Sequence, residues 1–480
     1  MSCSTSSESP RVSDVTLGRA LPLVIVMLGA GMIVFGDVLA LAAIAAVALV
    51  ALVAVRPASG AYAYLAVTPL VAGISRDLFL PVLRIHEALL ALIIVGLLVR
   101  GLVRMLQGHV YRPQLTRVDL SVAALAVTGS LVSMLWRFAQ GEPITTDDIL
   151  YASVFWKYLA LYVVFRVAVR SPRQAARSLW VAMGATAVVA LIGVFQALGL
   201  FGVPELLFTW YPSFLGETAE VGRGASTLAL TFAVADISLI CAAMGAMLLR
   251  ETTGLVRSII IGLVVVYGLG AIAAGQFSGY LGIVVALVAL GVARGELGKV
   301  LRYGTIVGAV GAVLTWPVIL NRVSGFETTS GVPQSWSGRL DNLTTFILPP
   351  LADGWNLLFG VRPAARVAAP ETWREWVFIE SGYVWLLWSG GIPLLISFFY
   401  FIVSSLRMLR ETIRHHAGEL RAIATGAFVG LWVIVVLTVF DPHLTMRGVA
   451  DLLFPLIAMA QVSAVKRTRT SVDVAVEVPA

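Results

Sequence analysis

Lys157 stands inside an apolar stretch, Phe155-Trp156-Lys157-Tyr158. It is about eight residues from either end of that stretch, roughly 12 Å deep in a helix that rises 1.5 Å per residue. A charge at such depth in a bilayer costs at least about 2.5 kcal/mol and turns toward a bundle interior or a wet cavity. Lys157 therefore reads either as a structural ion pair or snorkelling lysine, or as the cation for an anionic lipid headgroup. Arg223 lies between glycines in Val221-Gly222-Arg223-Gly224-Ala225-Ser226, where the backbone can turn tightly and approach a ligand. Arg339 lies in the turn-like Ser335-Trp336-Ser337-Gly338-Arg339-Leu340-Asp341. Arginine presents a fixed fork that matches two phosphate oxygens, so a pair of them on one face suits a diphosphate. Each also reads as an ordinary loop arginine.

Glu380 closes the stretch Ile379-Glu380-Ser381-Gly382-Tyr383, just ahead of an apolar run. A partly desolvated carboxyl there tends toward a raised pKa, which suits a general base acting on a sugar hydroxyl. It also reads as a solvated acid at a helix N-terminus. The later turn Asp441-Pro442-His443-Leu444-Thr445-Met446-Arg447 adds charge that would rim the same cavity, with Arg447 a further diphosphate-side cation. Trp210, Tyr211, Trp336, Trp355, Trp373, Trp376, Tyr383, Trp385 and Trp388 gather in or beside the same loops. Most suit an interfacial aromatic belt. Trp336, Trp355 and Tyr383 are candidates for stacking against sugar rings.

The elements that must position these residues are apolar. Of 480 residues, 59% are hydrophobic and 13% charged, more apolar surface than a soluble chain of this length can cover. Runs of about 15 to 24 residues with few charges recur at the length that crosses a bilayer. The fold class is all-α and polytopic, with about 14 transmembrane helices and one long loop between helices 11 and 12. The expected spans are 21–36, 37–55, 58–74, 87–105, 120–136, 149–167, 179–199, 226–249, 258–275, 279–293, 304–320, 383–405, 420–440 and 449–465. The division is a polar cytoplasmic tail over 1–20, helices 1 to 11 over 21–320, a loop domain over 321–381, helices 12 to 14 over 382–465, and a cytoplasmic tail over 466–480.

Net charge is +7, carried by thirty-one arginines and three lysines. With the N-terminus in the cytoplasm, 23 basic residues fall on the cytoplasmic side and 10 outside, five of those 10 in the long loop. That asymmetry places both termini inside and 321–381 outside, and it accounts for the positive charge without nucleic acid. Cys3 and Cys241 form no disulfide framework. No P-loop, HExxH, GxSxG or external Asp-x-Asp occurs, so no metal or other cofactor is expected. Asp147-Asp148 sits at a helix start, where capping explains it.

The order of these features resembles the O-antigen ligase and O-antigen polymerase superfamily, with its GT-C-like fold. The likeness is carried by four segments over about 150–440. They are the Lys157 span with the basic turn after it and the span ending near Gln196; Gly222-Arg223-Gly224-Ala225-Ser226-Thr227-Leu228; Ser337-Gly338-Arg339-Leu340 followed by Gly354-Trp355-Asn356-Leu357-Leu358-Phe359-Gly360-Val361; and Glu380-Ser381-Gly382-Tyr383 followed by Gly390-Gly391-Ile392. Ligases often carry His where this chain has Glu380, a difference that brings it closer to polymerase-like members. The family's Ser-Arg-Gly after Gly275 is replaced by Gln276-Phe277-Ser278-Gly279.

The resemblance implies a metal-independent glycosyltransferase of the cytoplasmic membrane. Its donor is a glycan on a polyprenyl diphosphate, its acceptor another glycan, with a flippase and a chain-length regulator alongside. Arg223 and Arg339, with Lys157, would hold the diphosphate, and Glu380 would orient or deprotonate the acceptor hydroxyl. Ligation of finished glycan to a lipid or protein acceptor is the alternative within the class. Polysaccharide or lipid transport is the alternative outside it, though the paired half-repeats common in transporters are not visible here.

Overall fold

The computed structural model describes residues 38–76, 83–109, 114–211, 222–323, 334–370, 372 and 375–462. The expected span 21–36, both expected tails and Trp373 lie outside the described residues, as do the side chains of 321–323 and 334–337, Trp336 among them. The chain is an all-α polytopic membrane protein. Ten of the described helices are long and apolar enough to cross a bilayer.

In chain order the helices are α1 (Val38–Val55), α2 (Pro57–Val71), α3 (Ile85–Leu106), α4 (Arg117–Ala139, with a π-helical turn at Thr128–Val132), α5 (Thr146–Ala168) and α6 (Pro172–Ala197). Then come the short α7 (Val203–Trp210), α8 (Thr231–Leu248), α9 (Gly254–Ala273), α10 (Phe277–Arg294) and α11 (Leu297–Leu314). The expected span 304–320 is broken at Thr315, and α12 (Trp316–Val323) follows the break; the long loop then holds α13 (Gln334–Asn342), α14 (Leu348–Ala352), α15 (Asn356–Phe359) and an antiparallel pair, β1 (Arg366–Ala368) and β2 (Trp376–Phe378), with Val367 opposite Val377. The chain closes with α16 (Gly382–His415), α17 (Gly418–Leu437) and α18 (Val449–Ala460).

Every expected span within the described residues falls on a helix, because in hydrocarbon a helix is the local way to satisfy each backbone polar group. Starts are written in the sequence. Thr116 with Asp119, Thr145 with Asp148 and Ser171 with Gln174 each form a capping box. The centre of the bundle is α8, α17 and α18. Within the apolar window of α8, 89% of residues are buried, against 12% for α11, which therefore lies at the periphery. Small residues bring these helices close: Gly426 lies against Met244, and Gly430 against Ile240. A stack of rings, Tyr158 on Phe454 at 5.2 Å and Phe454 on Phe401 at 5.3 Å, joins α5, α18 and α16. At the bundle end away from the long loop, Tyr162 donates to Asp119 at 2.6 Å and Gln461 donates to Tyr162 at 2.6 Å, tying α4, α5 and α18.

Two departures from the expected spans shape the opposite end. The span expected to open at Ser226 opens at Thr231 instead. Before it, 222–230 runs through the bundle as non-helical backbone, with one 3-10 turn at Ser226–Leu228 and positive φ at Ser226 and Ala229. Its polar groups are met by neighbours. The Gly73 and Gly224 amides donate to Thr227 and Ala273 carbonyls at 2.9 Å, and the Ser226 amide donates to Gln196 Oε1 at 2.8 Å. Second, α16 is broken at Gly391 (φ 63°, ψ −158°). The break frees the Trp388 and Ser389 carbonyls. Trp388 accepts from the Val361 and Arg362 amides of the long loop, and Ser389 accepts from Ser133 Oγ beside the π-helical turn of α4. Irregular backbone at this depth survives only because protein covers it.

Candidate functional site

Arg339, on α13, reaches the start of α16 and the segment after α17. Its Nε pairs with Glu380 Oε2, and one Nη lies 3.4 Å from Asp441 Oδ1. Burial pushes both carboxyls above their ordinary values. Arg339 pulls each back, and Asp441 adds to the upward push on Glu380. The trio is thus an arginine held between two carboxyls, each binding a proton more tightly than an ordinary carboxyl does.

Two residues on, His443 Nδ1 lies 2.6 Å from Asp236 Oδ2 of α8, both side chains buried. Burial alone would depress the imidazole. The Asp236 carboxylate outweighs it and holds His443 above its ordinary value. His443 Nε2 and Asp236 Oδ1 have no hydrogen-bond partner among the described residues. Asp236 is the site residue that the sequence reading missed. It is an acid in the middle of an expected span, and that placement was the available signal.

Lys157 sits at the centre of α5, where it is held by acids from two other helices. Its Nζ is 3.7 Å from Asp451 Oδ1 on α18 and 4.0 Å from Glu87 Oε1 on α3. Tyr64 donates to the same Asp451 oxygen at 2.8 Å, and Arg76 lies 3.3 Å from Glu87. These contacts form an ion pair at Lys157. Arg447 donates from Nε to the Leu228 carbonyl at 3.0 Å and clamps the non-helical segment that carries the half-buried Arg223.

One loop, 438–448, joins these groups. It carries Asp441 toward Arg339, His443 toward Asp236 and Arg447 toward Leu228. Its Thr445 carbonyl also accepts from Tyr158, the neighbour of Lys157, at 3.0 Å. The structure thus gathers Glu380 and Arg339 into direct contact and links Lys157 and Arg447 to them through this loop.

The aromatic candidates part company. Trp355 is 64% exposed in the long loop. Tyr383 donates to the Val435 carbonyl at 2.8 Å and stacks on Phe399, so its hydroxyl ties α16 to α17 and its ring packs the two halves of α16 together across the break at Gly391. Asp148 caps α5 as expected and does more. Arg362 of the long loop grips it with two bonds of 2.8 and 3.0 Å, docking the loop on the bundle. Among the described residues no group of three or more His, Cys, Asp or Glu side chains could hold a metal ion.

Chemically, the site offers a carboxyl in contact with an arginine, a buried imidazole–carboxylate pair, and further cations on a covered backbone segment. No protein-family model matches the chain, and no curated protein matches it.

Proposed function

We propose that this protein is a glycosyltransferase that polymerises polyprenyl-diphosphate-linked oligosaccharide units on the outer face of the cytoplasmic membrane. The observation that carries the reading is the contact of Arg339 with Glu380 and Asp441, at the end of the bundle where the long loop docks. In this reading the chain crosses the membrane 14 times with both termini inside, and 321–381 faces outward, where a lipid-linked glycan is presented.

The acceptor hydroxyl attacks the anomeric carbon of the donor. A new carbon–oxygen bond forms, the bond to the diphosphate breaks, and its electron pair leaves with the diphosphate. Glu380 in its ionised form takes the hydroxyl proton. Arg339 holds Glu380 in place, and in this reading Arg223, Arg447 and Lys157 stabilise the charge of the leaving diphosphate. Trp355, exposed in the loop, is the side chain that stacks against a sugar ring in this reading. A flippase and a chain-length regulator are the partners this role requires.

The test is the glycan content of a deletion strain. Loss of polymer with build-up of single repeat units on polyprenyl diphosphate supports a polymerase. Full-length polymer left on the lipid points to a ligase that transfers finished glycan to a lipid or protein acceptor. Arg339→Ala at normal protein level is expected to reproduce the deletion.

A second reading, transport of polysaccharide or lipid, is favoured by the Lys157, Glu87, Asp451 and Tyr64 cluster, since buried ionisable groups also mark ion and proton paths. Unchanged glycan pools in the deletion strain would favour it.

A further inference from the structure

A groove of about 520 Å³ runs along the side of the bundle between α10, α16 and α17. Its walls include Val288, Val292, Phe428 and Trp432, and its lining also includes two arginines, Arg407 and Arg410. Val288, Val292 and Trp432 are 40%, 48% and 40% exposed. Phe428 and Trp432 meet edge to face at 6.5 Å. Arg407 and Arg410 stand three residues apart on α16, both exposed, and neither has an acidic partner among the described residues. Other arginines at this end are engaged, Arg250 with Glu296 and Arg421 with Glu251.

In a membrane protein, an apolar groove on a lateral face meets acyl chains, and two uncompensated guanidinium groups at one end call for an anion. We propose that this groove binds an anionic phospholipid, with an acyl chain along the valines and Trp432 and the headgroup phosphate on Arg407 and Arg410. The position argues for a bilayer lipid over a lipid-linked glycan held at Glu380. Arg407 and Arg410 lie beyond the break at Gly391, toward the His415 end of α16, where Ser404 bonds Ser121 near the start of α4. Arg407 is eight residues, roughly 12 Å of helix, past Phe399, which Tyr383 meets beside Glu380. A single diphosphate cannot reach both. The proposal is independent of the glycosyltransferase reading.

The test is native mass spectrometry of the full chain, extracted in detergent, delipidated and offered equal amounts of phosphatidylglycerol and phosphatidylcholine with the same acyl chains. Each arginine near a membrane surface favours an anionic lipid about fivefold, so the wild type is expected to retain phosphatidylglycerol up to about thirtyfold over phosphatidylcholine. The double variant R407Q/R410Q is expected to bind both lipids equally. Val288→Trp, which fills the groove, is expected to lose both. Arg414→Gln, an exposed arginine one turn further along α16 and outside the groove lining, serves as the charge control and should leave the ratio unchanged. All four positions are exposed, so the variants are expected to keep the wild-type melting temperature. Equal retention of the two lipids by the wild type would overturn the proposal. So would a preference that survives R407Q/R410Q, or one that falls as far in R414Q.

Discussion

The imidazole of His443 and the carboxylate of Asp236 meet 2.6 Å apart, both buried and 207 residues apart in the chain. One sits in the loop after α17 and the other on the most enclosed helix of the bundle, so this contact pins the loop that carries Asp441, Thr445 and Arg447. Asp236→Asn should cost about 3–5 kcal/mol, since a buried ion pair that loses one partner leaves the other uncompensated.

The same pair sets a pH dependence. His443 binds its proton more tightly folded than unfolded. Its contribution is fully present below the ordinary imidazole value of 6.5 and fades as pH rises through the folded value. Hydrogen-exchange protection of 438–448 is expected to fall with rising pH above that point. In Asp236→Asn the protection should be lower and the slope gone. A slope that persists in the variant would mean that another group titrates the loop.

Glu380 and Asp441 both hold a proton more tightly than an ordinary carboxyl, because burial outweighs the pull of Arg339. Any stability they add is present below their unfolded values and is lost as pH rises through the folded ones. A base must be ionised to act, so the acidic limb of the polymerisation rate should lie above that of an ordinary carboxylate. Asp441→Asn removes one upward push on Glu380 and should move the limb to lower pH. Arg339→Lys keeps a point charge but loses the fork, and should retain part of the activity with the limb moved up. Glu380→Gln should abolish turnover, by about 100-fold or more if proton transfer is its role. Normal polymer from Glu380→Gln would remove it from the chemistry.

Arg362 holds Asp148 with two parallel bonds, and Asp148 is fully buried. Arg362→Ala should release the long loop from α5 at a cost of about 3–5 kcal/mol. Limited proteolysis should then cut within 334–378 at rates well above wild type. Arg362→Lys should rescue little, because an ammonium cannot bridge both carboxylate oxygens.

Gly391 occupies a backbone conformation essentially restricted to glycine, and a Cβ there would lie 2.1 Å from the Leu358 carbonyl oxygen. Gly391→Ala should therefore abolish a monodisperse peak in fluorescence-detected size exclusion. Gly262→Ala, at a helical glycine with open space around its Cβ position, should leave the peak intact.

Much of the fold was legible in the sequence, since apolar runs in lipid have few alternatives to helix. The capping read at Asp147-Asp148 is present, with Asp148 closing a capping box with Thr145 at the start of α5. Candidates were legible where charge had no local excuse: Lys157 in a span, Arg339 and Glu380 beside one. The partners of those charges were not legible. That Lys157 meets Glu87 and Asp451, that Arg339 lies between Glu380 and Asp441, and that Asp236 meets His443 depend on which helices pack together, and one-dimensional spacing does not encode that. The covered non-helical segment at 222–230 escaped for a related reason. Ser226-Thr227-Leu228-Ala229 is apolar enough to continue a helix, and only the carbonyls and amides of Gln196, Gly73 and Ala273 around it make another backbone path affordable. Composition and periodicity settle local structure because the bilayer acts on each residue by itself. The site is settled by tertiary structure because a buried charge is stable only beside the particular partner that packing delivers.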